Sequence, residues 1–321
     1  MMAVLTGRIM EPMRILAVDD DPVFLLLLEH ILSAIGYTDL RCVGSGAEAL
    51  ALLRDRNESF DCLLLDIDMP EMTGIELCRR IRALPDYRET PILMITAMKT
   101  LQYVEGAFRA GANDYVHKPV DELEIRTRLR MVGDLLDERR RRASVESRIS
   151  TDFGLPNVVV SFDEPFAINE VNSTIEYLAL ENYALTLGRL RLFGHTVVGF
   201  KVTNAESIFF STDGIGYVDT MANVAAAIDG ALKSFNHLIA FAGRGEFVAM
   251  ISQRCSLETA MVQDSIDSAL ERYARLYETL GIPMPRVCVG ETQHAGFFSR
   301  TSVKQLMRDA RESARRAMAA R

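Results

Sequence analysis

Five side chains that could take part in chemistry stand at or just after the ends of short apolar runs. They are Asp19, Asp20, Asp66, Thr96 and Lys118. Uninterrupted apolar runs of this length predict strands that are buried on both faces, as in a parallel sheet. Open α/β sheets place their chemistry at the carboxyl ends of parallel strands, which share one edge. We therefore expect the five side chains to meet in one cleft.

Three carboxylates in one cleft repel one another and raise each other's pKa unless a cation lies between them. A hard divalent ion with oxygen ligands, most naturally Mg²⁺, removes that conflict and leaves room for a phosphate. Lys118 would then be a point-charge partner for the phosphate. A single aspartate after a strand is more often a helix N-cap or a loop residue, so this prediction depends on the convergence of all five positions.

The elements that would position these residues alternate between strand and helix over the first half of the chain. Strands are predicted at 15–18, 40–44, 62–66, 91–96 and 114–117, and helices at 24–36, 47–54, 74–83, 102–110 and from 121 onward. Five βα units in this order predict an α/β fold with a doubly wound, five-stranded parallel sheet of the flavodoxin type.

Four stretches of this half resemble a two-component response-regulator receiver domain, and the spacings between them fit that family. The stretches are ILAVDDDP, LLLDIDMPEMTG, ILMITA and DYVHKPVD. The resemblance implies that Asp66 accepts a phosphoryl group from the phosphohistidine of a sensor histidine kinase or a phosphotransfer protein. Such a transfer to a carboxylate nucleophile is catalysed mainly by charge neutralisation.

The same resemblance implies roles for the other residues of the cleft. Thr96 would bond a phosphoryl oxygen, and Lys118 would pair with the acyl phosphate. Tyr115 occupies the aromatic switch position and would rotate inward when Thr96 is drawn to the phosphate. No organic cofactor is expected. Mg²⁺ would be held by four groups: Asp19, Asp20, Asp66 and the backbone carbonyl of Asp68.

The helix that starts near Asp121 is predicted to continue through residues 126–150, which contain few turn formers. Its apolar positions recur at intervals of four and three, a narrow seam suited to a two-stranded coiled coil or to packing on the next domain. We therefore predict a signalling helix and a homodimer formed through the receiver and this helix. The seam consists of Ile125, Leu129, Val132, Leu136 and Ala143.

The second half of the chain has a different order of elements. The patterns predict a helix at 175–190, a strand at 196–202, an irregular stretch through 211–216, a helix at 218–232, hairpin strands at 238–243 and 246–252, one long helix at 256–280, a strand at 285–292 and a helix at 302–319. Ser256 is the predicted N-cap of the long helix. This order predicts an α+β, ferredoxin-like sandwich with an antiparallel pair in its sheet.

This half resembles a GGDEF domain, the diguanylate cyclase fold, through TDFGLPN, GFKVTN, AGRGEFVAMI and VCVGET. Where that family has Gly-Gly-Asp/Glu-Glu-Phe, this chain has Gly243, Arg244, Gly245, Glu246 and Phe247. Gly245 thus replaces a metal-binding acid, and Arg244 adds bulk where the nucleotide approaches. The strand TVVGFK also lacks the family's metal-binding aspartate.

Two-metal phosphoryl transfer needs carboxylates to hold its ions. The loss of both acids therefore predicts a catalytically inactive output domain that acts through dimerisation or contacts with an unidentified downstream protein. Glu246 is interpreted as a hairpin-end residue facing water, with a lone metal ligand as the alternative, and Asn204 is a candidate nucleotide contact. Two other functions stay open: a diguanylate cyclase making cyclic di-GMP from GTP, and a non-catalytic sensor of GTP or cyclic dinucleotide.

Composition limits the remaining possibilities. A chain of 321 residues with 49% apolar and 25% charged residues is typical of about two globular domains. The net charge of −8 argues against DNA binding. Five scattered cysteines and the lack of a long apolar stretch predict a reduced, cytoplasmic protein without a membrane partner. The predicted domains are a tail (1–13), a receiver (14–125), a linker helix (126–150) and an output domain (151–321).

Overall fold

A computed structural model describes residues 13–97, 100–149, 160–296 and 302–319. The chain divides into two compact units, Met1–Asp152 and Phe153–Arg321. The predicted tail, except Met13, and the TDFGLPN stretch lie outside the described residues. Met13 itself is 5% exposed and packs in the core of the first unit.

The first unit alternates strands and helices, and its five strands form one parallel sheet in the order β2-β1-β3-β4-β5. This arrangement confirms the predicted doubly wound fold. Its elements are β1 (Ile15–Val18), α1 (Pro22–Ala34), β2 (Leu40–Val43), α2 (Gly46–Arg54), β3 (Cys62–Asp66), α3 (Gly74–Arg82), a 3₁₀ turn (Pro85–Tyr87), β4 (Ile92–Thr96), α4 (Leu101–Arg109), β5 (Asp114–His117) and α5 (Glu122–Ile149).

The central strands are apolar throughout because helices cover both faces of the sheet. Every residue of β1, β3 and β4 is buried. The helices begin at side-chain caps, which satisfy backbone N–H groups that have no partner inside the helix. Asp21 caps α1, with Pro22 in its first turn, and Ser45 and Thr73 cap α2 and α3. These caps fix where the chain leaves each strand end.

The apolar seam of α5 packs inside the first unit, which corrects the predicted coiled-coil seam. Ile125 and Leu129 are fully buried, and Val132 is 7% exposed. All three belong to the core cluster that includes β1, β3 and β4, and Leu136 packs against the edge of that cluster. Ala143 lies in the part of α5 whose side chains are outside the described residues. The seam therefore covers the parallel sheet of the first unit, so these residues are not free to meet a second helix.

The second unit is an α+β structure with four antiparallel strands in the order β7-β8-β6-β9. The hairpin of β7 and β8 confirms the predicted antiparallel pair. The elements are α6 (Tyr177–Phe193), β6 (Thr196–Val202), α7 (Ala205–Ser211), α8 (Gly214–Leu232), β7 (His237–Phe241), β8 (Glu246–Ile251), α9 (Thr259–Glu271), α10 (Ala274–Leu280), β9 (Val287–Val289) and α11 (Val303–Ala319).

Two helical segments differ from the sequence prediction. The stretch after β6, predicted to be irregular, contains the short helix α7, which buries Ala205 and Ile208. The predicted single helix at 256–280 is two helices, because the chain departs from helical hydrogen bonding between α9 and α10. Its N-cap is Glu258 rather than Ser256. At α7 tertiary packing overrides local propensity, because Ala205 and Ile208 belong to the core of the second unit.

Helix α11 lies directly on the backbone of the sheet at two glycines. A Cβ built at Gly199 of β6 would lie 2.2 Å from the carbonyl oxygen of Ala310, and one at Gly290 would lie 2.7 Å from the amide nitrogen of Ala314. Real Cβ atoms do not come this close to backbone atoms. Because glycine has no side chain, these two positions therefore allow α11 to pack this closely on the sheet.

Within the described part of the chain, no helix combines the length and the apolar character that crossing a membrane requires. The longest of these helices, α5, carries charged residues throughout its length.

We expect Gly199→Ala to lower the free energy of unfolding of the second unit by about 1–3 kcal/mol, the usual cost of overpacking. The measurement is urea unfolding followed by circular dichroism. Gly230→Ala is the matched control, because Gly230 lies in α8 with open space around its Cβ position. That control should be neutral or stabilising by up to ~1 kcal/mol, since alanine favours helix. Equal stability of both variants would contradict direct packing of α11 on β6.

Candidate functional site

The five residues predicted from the apolar runs come together at one edge of the parallel sheet. Asp19 follows β1 and Asp66 ends β3, Thr96 ends β4, and Lys118 follows β5. All neighbouring pairs among these strands are parallel, so their carboxyl ends face the same way. Asp20, next to Asp19, completes the acidic side of the pocket.

Three carboxylates form a group that could hold a metal ion. One oxygen from each of Asp19, Asp20 and Asp66 lies within 4.8 Å of the others. Asp19 and Asp66 are buried, while Asp20 is exposed. Backbone amides orient the two buried acids: Asp21 N donates to Asp19 at 3.0 Å, and Asp68 N donates to Asp66 at 2.9 Å. An acidic, oxygen-only set of this kind is typical of a Mg²⁺-binding receiver site.

Lys118 bridges the two buried acids. Its Nζ lies 2.6 Å from Asp19 Oδ2 and 2.9 Å from Asp66 Oδ1. The same ammonium lies 4.0 Å from the ring centroid of Phe24, a cation–π contact from the start of α1. The lysine side chain is 19% exposed, so its charge is directed into the pocket rather than into bulk water. Lys118 thus occupies the position that the sequence predicted for the phosphate partner.

Burial and the contacts between Lys118 and the buried acids determine the pKa shifts of Asp19 and Lys118. The pKa of Asp19 is raised chiefly by burial, and the hydrogen bond from Lys118 works against this shift. Repulsion from Asp66 is the smallest contribution, which corrects the emphasis of the sequence argument. For Lys118, burial alone would lower the pKa, but the hydrogen bonds to Asp19 and Asp66 outweigh it and the pKa is raised.

A close backbone contact holds the segment after β3 against Asp66. A Cβ at Gly74, the first residue of α3, would lie 1.9 Å from the carbonyl oxygen of Asp66. The amide of Gly74 donates to the carbonyl of Ile67 at 3.0 Å. Only glycine fits here, which explains the glycine at the end of the motif DMPEMTG.

Thr96 and Tyr115, the predicted switch residues, are both buried. The Tyr115 hydroxyl lies 2.5 Å from His117 Nε2, and the two rings meet edge to face with centroids 4.6 Å apart. The sequence argument did not single out His117. The signal was present, because alternate residues of a strand share a face and His117 follows Tyr115 by two.

Glu246, predicted to face water, is instead buried in the second unit and only 1% exposed. Arg311 Nε lies 2.7 Å from one carboxylate oxygen, and Arg315 Nε lies 2.6 Å from the other. Lys201 Nζ lies 3.7 Å away on β6. The prediction was wrong because the sequence could not show that α11 returns its arginines to the start of β8.

The hairpin turn that carries the degenerate motif is held by close contacts. Gly243, Arg244 and Gly245 all have positive φ. A Cβ at Gly243 would lie 2.4 Å from the carbonyl oxygen of Asp163, and one at Gly245 would lie 2.2 Å from the Cβ of Ala205. The Arg244 guanidinium pairs with Asp163, and both side chains are more than half exposed. The turn is thus packed at both glycines.

The other two predicted residues of this region serve the fold. The Asn204 side chain donates to the carbonyl of Met284 at 2.8 Å and accepts from the amide of Arg286 at 2.9 Å. Phe247 is fully buried, with its ring centroid 5.1 Å from that of Phe241. Among the described residues, the group of three potential metal ligands belongs to the first unit, and none is found in the second.

Comparisons with known proteins cover the first unit. The family model described as response regulator receiver domain matches residues 15–130. Chemotaxis protein CheY1 of Helicobacter pylori (strain J99) is 35% identical over 120 residues, 37% of this chain and 96% of that protein. Response regulator MprA of Mycobacterium leprae is 40% identical over 119 residues, 37% of this chain and 50% of that protein.

A crystal structure of the receiver domain of the sensor histidine kinase PA1611 from Pseudomonas aeruginosa PAO1, with a magnesium ion in its active-site cleft, is also similar. The two sequences are 31% identical, and the match covers 39% of this chain and 99% of that chain with a TM-score of 0.35. The likeness to CheY1 extends over nearly the whole of that relative. Through its first unit, this chain belongs to the response regulator receiver domain family.

Proposed function

We propose that this protein is a two-component response regulator in which Asp66 accepts a phosphoryl group from a histidine kinase or a phosphotransfer protein. One observation carries the proposal: the Asp66 carboxylate is buried at a strand end, 2.9 Å from Lys118 Nζ, within a group of three acids whose oxygens lie within 4.8 Å. A buried acid with exchangeable charged partners suits a nucleophile better than a helix cap.

The chemistry is a displacement at phosphorus. A carboxylate oxygen of Asp66 attacks the phosphorus of a phosphohistidine, a P–O bond forms, and the P–N bond breaks. The bonding electrons leave with the imidazole, which takes up a proton. Lys118, now shared by Asp19 and Asp66, would transfer its hydrogen bond from Asp66 to a phosphoryl oxygen, so that its charge offsets the charge arriving on the acid.

The residues present fit a magnesium ion in the receiver. The proposed ligands are the carboxylates of Asp19, Asp20 and Asp66, with the backbone carbonyl of Asp68. A bound Mg²⁺ would supply positive charge to the phosphoryl oxygens during transfer. The chain's own contribution is to hold the acids in place through backbone amides and to keep Asp66 away from bulk water.

Thr96 and Tyr115 are the proposed link between the pocket and the rest of the receiver. Thr96 ends β4, the strand next to β3 and Asp66, and its hydroxyl is the group proposed to bond a phosphoryl oxygen. Movement of Thr96 would change the space available to Tyr115, one strand further along the sheet. Phosphorylation would then shift the population of existing conformations rather than create a new one.

The second unit is proposed to be a GGDEF-like output domain that has lost catalysis. The support is the strand order, the motif in the turn between β7 and β8, and the chemistry around that turn. The remaining acid of the motif, Glu246, is ion-paired through both of its oxygens with Arg311 and Arg315, which would compete with a metal ion for this carboxylate. The output would be a protein contact or a change of dimer.

The proposed domain limits follow the sequence argument: a receiver at 14–125, a linker helix at 126–150 and an output domain at 151–321. The helix α5 runs without interruption from Glu122 to Ile149. A continuous helix can carry a change in the receiver to the following segment. A homodimer through the receiver and this helix stays part of the proposal, with contacts other than the buried seam.

Incubation with Mg²⁺ and a radiolabelled small phosphodonor should label the wild-type chain, and Asp66→Asn should reduce the label to background, because the amide is not a nucleophile. Asp68→Asn is the matched control. Its side chain is exposed and only its backbone is proposed to act, so labelling should stay within about twofold of wild type. Equal labelling of Asp66→Asn and wild type would refute the phosphoacceptor assignment.

The phosphorylated protein should make no cyclic di-GMP when incubated with GTP and Mg²⁺, because the second unit lacks an open carboxylate pair. Arg244→Gly combined with Gly245→Asp, which restores the family motif, should also be inactive, since a Cβ at residue 245 meets Ala205. Chromatography of the nucleotides provides the readout, with an active diguanylate cyclase as positive control. Product formed by the wild-type chain would favour the cyclase alternative.

Glu246→Gln should lower the free energy of unfolding of the second unit by about 1–3 kcal/mol at pH 7, the scale of a hydrogen bond to a charged group. Burial raises the pKa of Glu246, but hydrogen bonds from Arg315 and Arg311 outweigh burial and the pKa is lowered. A lowered folded pKa stabilises the protein above the unfolded value, about 4.3, and this stabilisation is lost as the pH falls through the folded pKa.

Urea unfolding at pH 7 and in steps below pH 4.5 tests this dependence. The difference between wild type and Glu246→Gln should narrow as the pH falls, because the wild-type carboxylate is then protonated. Glu271→Gln, at an exposed position of α9, is the control and should match wild type at each pH. A difference that stays constant with pH would show that the ion pair is not its source.

A further inference from the structure

Strand β5 carries a hydrogen-bonded aromatic pair beside the phosphorylation pocket. Tyr115 is 7% exposed, and its hydroxyl lies 2.5 Å from Nε2 of His117. The two residues are two apart on one strand, so their side chains project from the same face. Their rings also meet edge to face. Both contacts hold the tyrosine ring in its buried position.

His117 also lies next to Thr96. The register of the parallel pair β4 and β5 sets Thr96 opposite His117 and Met94 opposite Tyr115. Residues opposite each other on neighbouring strands are separated by about 5 Å and project from the same face. The amide of Lys118 donates to the carbonyl of Thr96 at 2.9 Å, so this register holds up to the pocket. His117 thus lies between the two proposed switch residues.

The second ring nitrogen of His117 makes a histidine at this position energetically unfavourable. Nδ1 is buried and has no hydrogen-bond partner among the described residues. A buried polar atom without a partner is unfavourable and calls for an explanation. A phenylalanine or leucine would fill the same space without that cost. The bond from Nε2 to Tyr115 is the contact that only a polar ring at residue 117 supplies.

We propose that His117 is a positioning residue that holds Tyr115 in its buried conformation before any phosphoryl group arrives. This inference rests on the proposed roles of Thr96 and Tyr115 in the receiver. The hydrogen bond raises the population of the inward tyrosine in the unphosphorylated protein. Phosphorylation then produces a smaller change in the population of the inward tyrosine, since the response of a two-state switch depends on its starting populations.

The test measures the exposure of Tyr115 in the unphosphorylated full-length chain. The nine tyrosines are labelled as 3-fluorotyrosine, and Tyr115→Phe identifies the fluorine resonance of Tyr115 by its loss. A soluble paramagnetic agent then broadens each resonance according to its exposure. In the wild type, Tyr115 should be broadened less than Tyr103, which is 40% exposed. In His117→Phe the broadening of Tyr115 should rise about two- to tenfold, the range expected for one hydrogen bond.

Two variants separate positioning from general disruption. His117→Gln keeps a side chain that can donate or accept, so Tyr115 should be broadened less than in His117→Phe. His117→Gln also tests the proposal if His117→Phe fails to fold. The broadening of Tyr115 in His117→Gln must then lie between that of Tyr115 in the wild type and that of Tyr103. His30→Phe, at an exposed histidine of α1, should leave Tyr115 unchanged.

The proposal would be overturned if His117→Phe folds and its Tyr115 is broadened no more than in the wild type. An equal rise in the broadening of Tyr115 in His30→Phe would also overturn it. The measurement needs no phosphoryl transfer, so its outcome is separate from the labelling of Asp66. If His117→Phe exposes Tyr115 while Asp66 takes no label, the positioning role stands and the phosphoacceptor assignment fails. If Asp66 takes the label while His117→Phe leaves Tyr115 protected, the phosphoacceptor assignment stands and the positioning role of His117 fails.

Discussion

The first unit depends on the sharing of one ammonium group by two buried carboxylates. Parallel strands bring Asp19 and Asp66 to the same edge of the sheet, where both side chains are buried. Buried charges without a partner are strongly unfavourable, so Lys118 between them is what allows both acids to stay in the pocket. The lysine is shared between the two acids, so it can exchange partners. The proposed transfer of a phosphoryl group to Asp66 depends on this exchange.

The second unit also buries an acid, but it surrounds that acid with more positively charged groups. Glu246 is as deeply buried as Asp66, but Arg311 and Arg315 bond both of its oxygens and Lys201 adds a third positive charge. Both oxygens of Glu246 are thus engaged in ion pairs that join α11 to β8. The two buried acids thus differ in the cations around them: Asp66 shares one ammonium group with Asp19, whereas Glu246 has two guanidinium groups and a nearby lysine.

The site was easier to predict from sequence than its surroundings. Motifs at strand ends are local, so Asp19, Asp66, Thr96 and Lys118 could be identified before any tertiary contact was known. The α5 seam shows where such reasoning fails. A seam with spacings of four and three has the same pattern whether it packs on its own sheet or on a second helix. Ile125 and Leu129 pack on the receiver sheet, and only the contacts of the folded chain distinguish the two cases.

In the first unit, the sequence by itself determined the order of elements, the parallel sheet and the acids at its edge, because periodicity and strand-end position are encoded locally. Tertiary structure decided which polar groups are satisfied. It directed Arg311 and Arg315 onto Glu246 across more than sixty positions, joined the Asn204 side chain to the backbone near residue 285, and aligned His117 with Thr96. These pairings join residues that are distant in sequence or lie on neighbouring strands, so they follow from how the elements pack rather than from any local pattern.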